Sequence, residues 1–359
     1  MTSPDLTDVP TSIPAATVVV TGASGWLGQN LMRALVGRRE RVRCLVPLAD
    51  HAAPLSLLSP TVEVVVGDVR DPATADRLFD GVGADAAVFH AAAVIHPASS
   101  TREFFDVNVG GTQNMVDRAR RSGAARFVHV SSNSPFGVNA TPGEVFTEDS
   151  PYDPYLGYGQ SKYEAEQIVQ SANDRGDIPT VMVRAPWFYG PYQPSRQSQF
   201  FRTIRRGRFP LIGDGTQRRS MAYTDNLVQG LLRAEVADKA PGNAYWVADA
   251  EPYELREILA TVRRALEAEG LATSGEAFVR LTDRPALTRL AARVAEKGDV
   301  LLQKRGRYLQ PLHVLGELGH TIACDISRAR DELGYEPTVA LEEGMRNSIR
   351  WCLEHGEQL

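Results

Sequence analysis

Tyr158 and Lys162 stand four residues apart in the run Tyr-Gly-Gln-Ser-Lys. On a helix that spacing puts a phenol and an ammonium on one face, one turn apart. A free phenol ionises near pH ~10, too high for a base at neutrality, but a neighbouring cation favours the phenolate. Such a pair can take a proton from an alcohol or give one to a carbonyl. A solvated Tyr–Lys contact on any helix would look the same, so the surroundings decide. Ser131 and Ser132, in Val-Ser-Ser-Asn-Ser-Pro-Phe-Gly, close an apolar run upstream. Their hydroxyls could hold an oxygen beside the phenol, or merely cap a strand end.

Thr21–Gly28 reads Thr-Gly-Ala-Ser-Gly-Trp-Leu-Gly between a strand-like run and a helix-like run. That context gives a glycine fingerprint meaning. Gly22, Gly25 and Gly28 let the backbone turn sharply and approach a pyrophosphate at a helix N-terminus, with Ser24, Trp26 and Leu27 completing the turn. Any strand–helix turn could be glycine-rich, so two later features carry weight. Asp68 and Val69 follow an apolar run, where a carboxylate can accept from an adenine amino group. Ala91, Ala92 and Ala93 follow another, leaving room for a ribose and diphosphate.

Alternating apolar and amphipathic runs must position these groups. Strands are predicted at Thr17–Thr21, Arg41–Val46, Val62–Val66, Asp85–His90, Arg126–Ser131 and Thr180–Val183. Helices are predicted at Trp26–Gly37, Pro72–Asp80, Arg102–Ser122 and Tyr158–Asp174, and later at Glu254–Glu269 and Leu341–Glu354. Strand–helix alternation with short linkers implies an α/β fold with a parallel sheet covered on both faces. After Arg184 the alternation loosens into a second, smaller lobe.

Taken together, the Thr-Gly-x-x-Gly-x-x-Gly loop, Asp68, His90-Ala-Ala, Asn108-Val-Gly-Gly-Thr112 and Tyr-x-x-x-Lys resemble the extended short-chain dehydrogenase/reductase family, from about Val18 to Trp351. The resemblance implies a Rossmann-type doubly wound parallel sheet with a smaller, intertwined C-terminal substrate lobe. It divides the chain into a disordered tail (1–16), an NAD(P)-binding domain (17–185) and a mainly substrate-binding lobe (186–359), with about 220–250 returning to the first domain. It implies that Ser132, Tyr158 and Lys162 are catalytic, with Asn108 supporting the bend of the long helix. Ser131 would face the cofactor, Lys162 would also reach the nicotinamide ribose, and Pro186 would lie where the chain passes the nicotinamide. His96, Asn133, Trp187 and Arg219 are candidate substrate residues, Arg219 standing where family epimerases hold a diphosphate. The Asp–Glu pair of family dehydratases is replaced by Asn133 and Ser134, which disfavours water elimination. Tyr223-Thr-Asp-Asn226 and the long insertion before Asp325 point to the 3β-hydroxysteroid dehydrogenase-like branch.

The cofactor is expected to be NAD or NADP. The second strand ends in Val46 and Pro47, without the carboxylate that usually holds a ribose 2′-OH. No cation follows it to pair with a 2′-phosphate, and Asp50 could swing in, which tips the balance to NAD. The favoured function is an oxidoreductase acting on a secondary alcohol or ketone of a bulky, steroid-like or natural-product substrate. A nucleotide-sugar epimerase is the alternative, and a non-catalytic dinucleotide sensor a third reading.

The net charge of −5 leaves no footprint for nucleic acid. Three scattered cysteines suit neither a disulfide framework nor a metal site. No apolar run reaches the length of a membrane span, and a cytoplasmic setting fits. His90, His96 and His129 are not expected to bind metal. Between Arg280 and Arg307 basic residues dominate, and Leu287, Leu290, Ala291 and Val294 share one helix face. This segment could be a lid, a weak membrane-surface contact, or a solvated face packed on the lobe. A homodimer is expected through Phe105, Val109, Met115, Val116 and Ala119 on one helix and Ala165, Ile168, Val169 and Ala172 on the next, unless those faces are buried within one subunit.

Overall fold

The computed structural model describes residues 16–98, 100–279 and 285–359. Of the expected tail at 1–16, residues 1–15 lie outside the described residues, as do Arg280 and Arg284 of the basic segment. Seven parallel strands form the main sheet: β1 (Thr17–Thr21), β2 (Arg41–Val46), β3 (Val62–Val66), β4 (Ala86–His90), β5 (Arg126–Ser132), β6 (Thr180–Ala185) and β7 (Ala244–Trp246). Their order is β7-β6-β5-β4-β1-β2-β3. The chain winds outward from β1 in one direction to β3, then crosses to β4 and winds the other way. The crevice between β1 and β4, where the order reverses, is where such sheets bind ligands. Val18, Val19 and Val20 are fully buried, because helices cover both faces of the central strand.

Three local departures from the sequence-based expectation matter. The long helix before β5 is not uniform: Phe104–Gly111 forms a π-helical stretch that passes into the α-helix Thr112–Ser122. Wide turns of this kind gather at functional sites, and this one carries Asn108. The helix bearing Tyr158 starts two residues early, at Leu156. The three-residue strand β7 is too short for period-two patterning, yet it pairs with β6, Tyr245 standing beside Val183.

The second lobe has its own core, in which Phe201, Ile204 and Leu211 meet Leu259, Val262 and Ile349. Helices Pro285–Lys304 and Gln310–Glu317 pack against each other and, through the first, onto the helix of Tyr158. Asn226, at the position that pointed to the steroid-dehydrogenase branch, is buried and fully engaged. It donates to Asp249 Oδ1 and to the Val339 carbonyl, and accepts from the amides of Thr338 and Val339.

Candidate active site

The glycine loop closes directly onto the end of β4. Gly22 has φ +72°, and a Cβ there would stand 2.7 Å from the backbone of Ala91 and Ala92. A Cβ on Gly28 would lie 2.0 Å from the Gly22 carbonyl. Both positions need glycine for the loop's own packing, before any ligand is considered. Gly25 caps the helix Trp26–Leu35 with extended backbone and no side-chain cap, so the first amides of that helix are open to an anion. Ser24 and Leu27 lie in the same turn. Trp26 leans away, donating through Nε1 to the Pro191 carbonyl at 2.9 Å.

Asp68 is held by Arg70, whose Nε and Nη2 and backbone amide all donate to it. That fork keeps the carboxyl below its ordinary range, so it stays an acceptor. Val69 is buried against Gly111. Val46 is buried at the end of β2, Leu48 beyond it is exposed, and Asp50 sits in an exposed turn.

Ser132, Tyr158 and Lys162 converge at the C-terminal end of β5. Burial of the phenol pushes Tyr158 up to about 12, and the negative charge of Glu317 adds to this, while a hydrogen bond from Ser132 pulls it down. Lys162 is pushed down to about 8 by burial, with the buried carboxylate of Glu166 one turn on opposing the shift. Its ammonium donates to the Val130 carbonyl at 2.8 Å and to His129 Nε2 at 3.2 Å. Ser131 Oγ is buried with no partner among the described residues. An orphaned hydroxyl, a small-residue strand end and an uncapped helix N-terminus around one crevice fit a dinucleotide.

A second layer fixes this geometry. Ala92 N donates to Thr21 Oγ1, which lies 2.7 Å from His90 Nδ1. His90 Nε2 reaches Thr112 Oγ1, and Thr112 in turn donates to the Asn108 carbonyl. The chain is satisfied when His90 is neutral and carries its proton on Nε2. Burial does hold His90 neutral, its pKa lowered to about 3 with help from the Lys162 charge. The Asn108 side chain clamps Val94, donating to its carbonyl and accepting from its amide, and donates to Ser161 Oγ on the helix of Tyr158. Asn108 therefore ties the π-helical stretch to the loop after β4 and to the helix of Tyr158.

The C-terminal helices cap the site, and here the sequence left most unread. Gln303 accepts from the amide of Gly157, next to Tyr158. Asp299, wholly buried, accepts from Tyr155 Oη at 3.2 Å, from Gln303 and from His313. Tyr308 Oη lies 3.0 Å from His96 Nδ1, and its ring packs edge-on against Phe104, which also meets Tyr158. The four apolar residues grouped on one face do not point inward. Thr288, Ala292, Ala295, Asp299 and Gln303 form the inner face, and a buried acid amid small residues was the only signal of it.

The candidate substrate residues are scattered around this cap. His96 is part-buried and held neutral by burial, lowered to about 4. Asn133 is buried at the start of the turn Ser134–Phe136. Pro186 is buried between β6 and the short strand Trp187–Tyr189. Trp187 lies under the guanidinium of Arg219, 4.7 Å from its ring centre. Arg219 donates to the Glu317 carbonyl, while its buried Nε and Nη1 have no hydrogen-bond partner among the described residues. Of the other two aromatics there, Phe188 packs on Trp26 and Tyr189 donates to Asp249, so they are structural.

The proposed dimer faces are mostly consumed within the subunit. Met115, Val116, Ala119, Ala165, Val169 and Ala172 are buried. Phe105 and Val109 remain part-exposed beside a surface cavity of about 570 Å³ that Arg70 and Glu164 also line. Among the described residues no His, Cys, Asp or Glu cluster is arranged for a metal, and no helix is long and apolar enough to cross a membrane.

Comparison with known proteins agrees with this architecture. The chain is 41% identical to an uncharacterized Sinorhizobium fredii protein, over 97% of this chain and 98% of the other. It is 31% identical to a 3 beta-hydroxysteroid dehydrogenase/Delta 5-->4-isomerase of Mycobacterium tuberculosis, over 95% and 92%. It is also 31% identical to a Stigmatella aurantiaca ketoreductase acting on a farnesyl-dihydroquinoline oxide, over 91% and 93%. Among solved structures, a dTDP-glucose 4,6-dehydratase of Streptomyces venezuelae with NAD bound matches with TM-score 0.72 at 24% identity, covering 94% of this chain and 97% of that one. A UDP-glucuronic acid 4-epimerase of Bacillus cereus matches with TM-score 0.71 at 20% identity, covering 94% and 99%. At those identities they speak for the fold alone. Residues 18–248 match the NAD dependent epimerase/dehydratase family, and the chain belongs to that family of enzymes, the extended short-chain dehydrogenases/reductases.

Proposed function

We propose that this enzyme moves hydride between a nicotinamide cofactor and a secondary alcohol or ketone on a bulky, largely apolar substrate. The observation that carries the reading is the convergence of Ser132, Tyr158 and Lys162 beside the crevice at Ala91–Ala93. The glycine loop, Asp68, Val69, Ser131 and Pro186 would hold the dinucleotide, with Lys162 reaching its ribose. When bound, the nicotinamide supplies or accepts the hydride. Ser132 holds the substrate oxygen, and Tyr158 exchanges the proton with it. With its pKa pushed up to about 12, Tyr158 is protonated near neutrality and holds the proton that ketone reduction requires. To act as a base it needs the Lys162 cation and the positive charge of an oxidised nicotinamide.

The substrate class rests on the cap, where Tyr308 and His96, backed by the buried Phe104, offer rings near Tyr158. Steroid and farnesylated substrates in the names of relatives fit such walls. NAD is favoured over NADP because the exposed end of β2 offers Asp50 and no cation. We read the enzyme as cytoplasmic, with its three buried cysteines unpaired, and as a homodimer through the part-exposed Phe105, Val109 and Ile168.

One observation favours the epimerase alternative. Arg219 is a buried cation over Trp187, with two nitrogens that find no hydrogen-bond partner among the described residues, the kind of group that holds a diphosphate. The deciding experiment is a screen of apolar ketones, sterols and nucleotide sugars with NADH and NADPH. A net change in reduced-nicotinamide absorbance with an apolar ketone or sterol supports the reading. Conversion of a nucleotide sugar with no net change in cofactor overturns it.

A further inference from the structure

The helix Pro285–Lys304 over the active site turns its apolar stripe to solvent. Leu287 is 49% exposed, Leu290 56%, Val294 62% and Leu301 52%, and Leu309 follows at 47%. Of the eleven exposed large apolar side chains among the described residues, these five fall within one short segment. The spacing of 287, 290, 294 and 301 keeps them on one face over four turns. The inner face is satisfied by Thr288, Ala292, Ala295, Asp299 and Gln303, all buried. About half of each side chain in the outer stripe is therefore left in solvent.

Charge says what covers it. From 287 to 307 the chain carries Arg289, Arg293, Lys297, Lys304, Arg305 and Arg307 against Glu296 and Asp299, in a protein whose net charge is −5. Arg293, Lys297 and Lys304 are exposed and line one flank of the apolar stripe, at positions turned from it by less than half a circle. Neither carboxylate faces outward: Asp299 is buried, and Glu296 is half-covered beside His320. A helix with Leu and Val on one sector and Lys and Arg beside it is built to lie in the interface of an anionic bilayer. We propose that this helix docks the enzyme on an anionic lipid surface, apolar stripe down and cations against the headgroups.

The placement has a functional consequence. The same helix carries Gln303 and Asp299, which hold Gly157 and Tyr155 beside the catalytic tyrosine. A docked helix would set the cap of the active site at the bilayer surface, where an apolar substrate is concentrated. Docking does not depend on the chemistry assigned above, since vesicle binding needs no turnover.

The test is flotation of the full chain with vesicles of equal parts phosphatidylglycerol and phosphatidylcholine, and with phosphatidylcholine alone. The expected result is partition to the anionic vesicles, weakened by salt, and little to the neutral ones. Arg293→Gln with Lys297→Gln should weaken partition about fivefold per cation removed. Leu290→Glu with Val294→Glu should weaken it roughly tenfold or more. Cofactor binding and thermal unfolding, unchanged in both variants, verify the fold. No partition to anionic vesicles overturns the proposal. So does partition indifferent to Leu290→Glu/Val294→Glu, which would reveal charge attraction without insertion. A dimer in sedimentation that the same substitutions dissolve would assign the stripe to a second copy and equally overturn it.

Discussion

Lys162 Nζ lies 3.2 Å from His129 Nε2, and both residues are buried. Two cations cannot share that site. Burial and the Lys162 charge hold His129 well below its ordinary pKa, so the neutral ring accepts from the ammonium. Of the two, Lys162, lowered to about 8, is the one that titrates near neutrality.

A pH dependence follows from this pair. As pH rises through about 8, Lys162 loses its charge, and under the proposed mechanism the phenolate and the cofactor lose its support with it. The kcat/KM profile should fall on the alkaline side with an apparent pKa near that value. His129→Leu removes an acceptor of the charged form, so the limb should move to lower pH. A limb unmoved by His129→Leu would mean that another group controls it.

Stability should fall in acid because of buried neutral histidines. His90 is lowered to about 3, against an unfolded value of about 6.5. Between those values the unfolded chain binds the extra proton, so the stability is present above about pH 6.5 and is lost as pH falls. Each such histidine contributes up to about 1.4 kcal/mol per pH unit. Buried acids oppose this: Glu235 is raised to about 7 and Asp249 to about 6, and both favour the fold as they protonate. His90, His96 and His129 together outweigh them below pH ~5. His90→Gln, which keeps a side chain able to bond Thr21 and Thr112, should flatten the acid slope of denaturant unfolding by about one proton.

Asp299 joins three partners at the cap. Burial lowers the pKa of His313, but the hydrogen bond to Asp299 and the charges of Glu317 and Asp299 raise it above the ordinary value. The His313–Asp299 contribution is therefore full below pH ~6.5 and fades as pH rises through the raised value. Asp299→Asn should destabilise by about 3–5 kcal/mol in denaturant unfolding at pH ~6, and by less at pH ~9. An equal loss at both pH values would mean that packing, not the ion pair, holds the cap.

The glycine loop and the Tyr158–Lys162 pair were legible in the sequence because each is a local pattern. Three glycines at fixed spacing and an i, i+4 pair carry their meaning within a single turn. The strands read well for the same reason, since Val18–Val20 and Val62–Val66 are runs of β-branched residues. What was hidden is long-range. Nothing near Gln303 in the chain says that it accepts from Gly157, 146 residues away. The stripe Leu287–Val294 read as a helix face, but periodicity does not say which face points inward. That was settled by Asp299 and its three partners. The π-helical stretch was missed because a helical apolar period does not show a change in turn size; in the fold it carries Asn108, which clamps Val94 from 14 residues away.

Gly22→Ala tests the cofactor crevice separately from the chemistry. A Cβ would meet the Ala91 backbone at 2.7 Å, in a left-handed conformation that disfavours side chains. The loop must shift, and dinucleotide affinity in a fluorescence titration should fall roughly tenfold or more. Unchanged affinity would place the dinucleotide elsewhere.

The most direct test of the proposed chemistry is Tyr158→Phe, with turnover and cofactor affinity measured on the same preparation. Phenylalanine keeps the ring beside Phe104 but removes the hydroxyl that hydrogen-bonds with Ser132 and that the proposal makes the proton carrier. Turnover should fall by about 10²–10⁴-fold, with cofactor affinity nearly intact, because the glycine loop, Asp68 and Ala91–Ala93 do not involve the phenol. A variant that keeps most of its turnover would contradict the account.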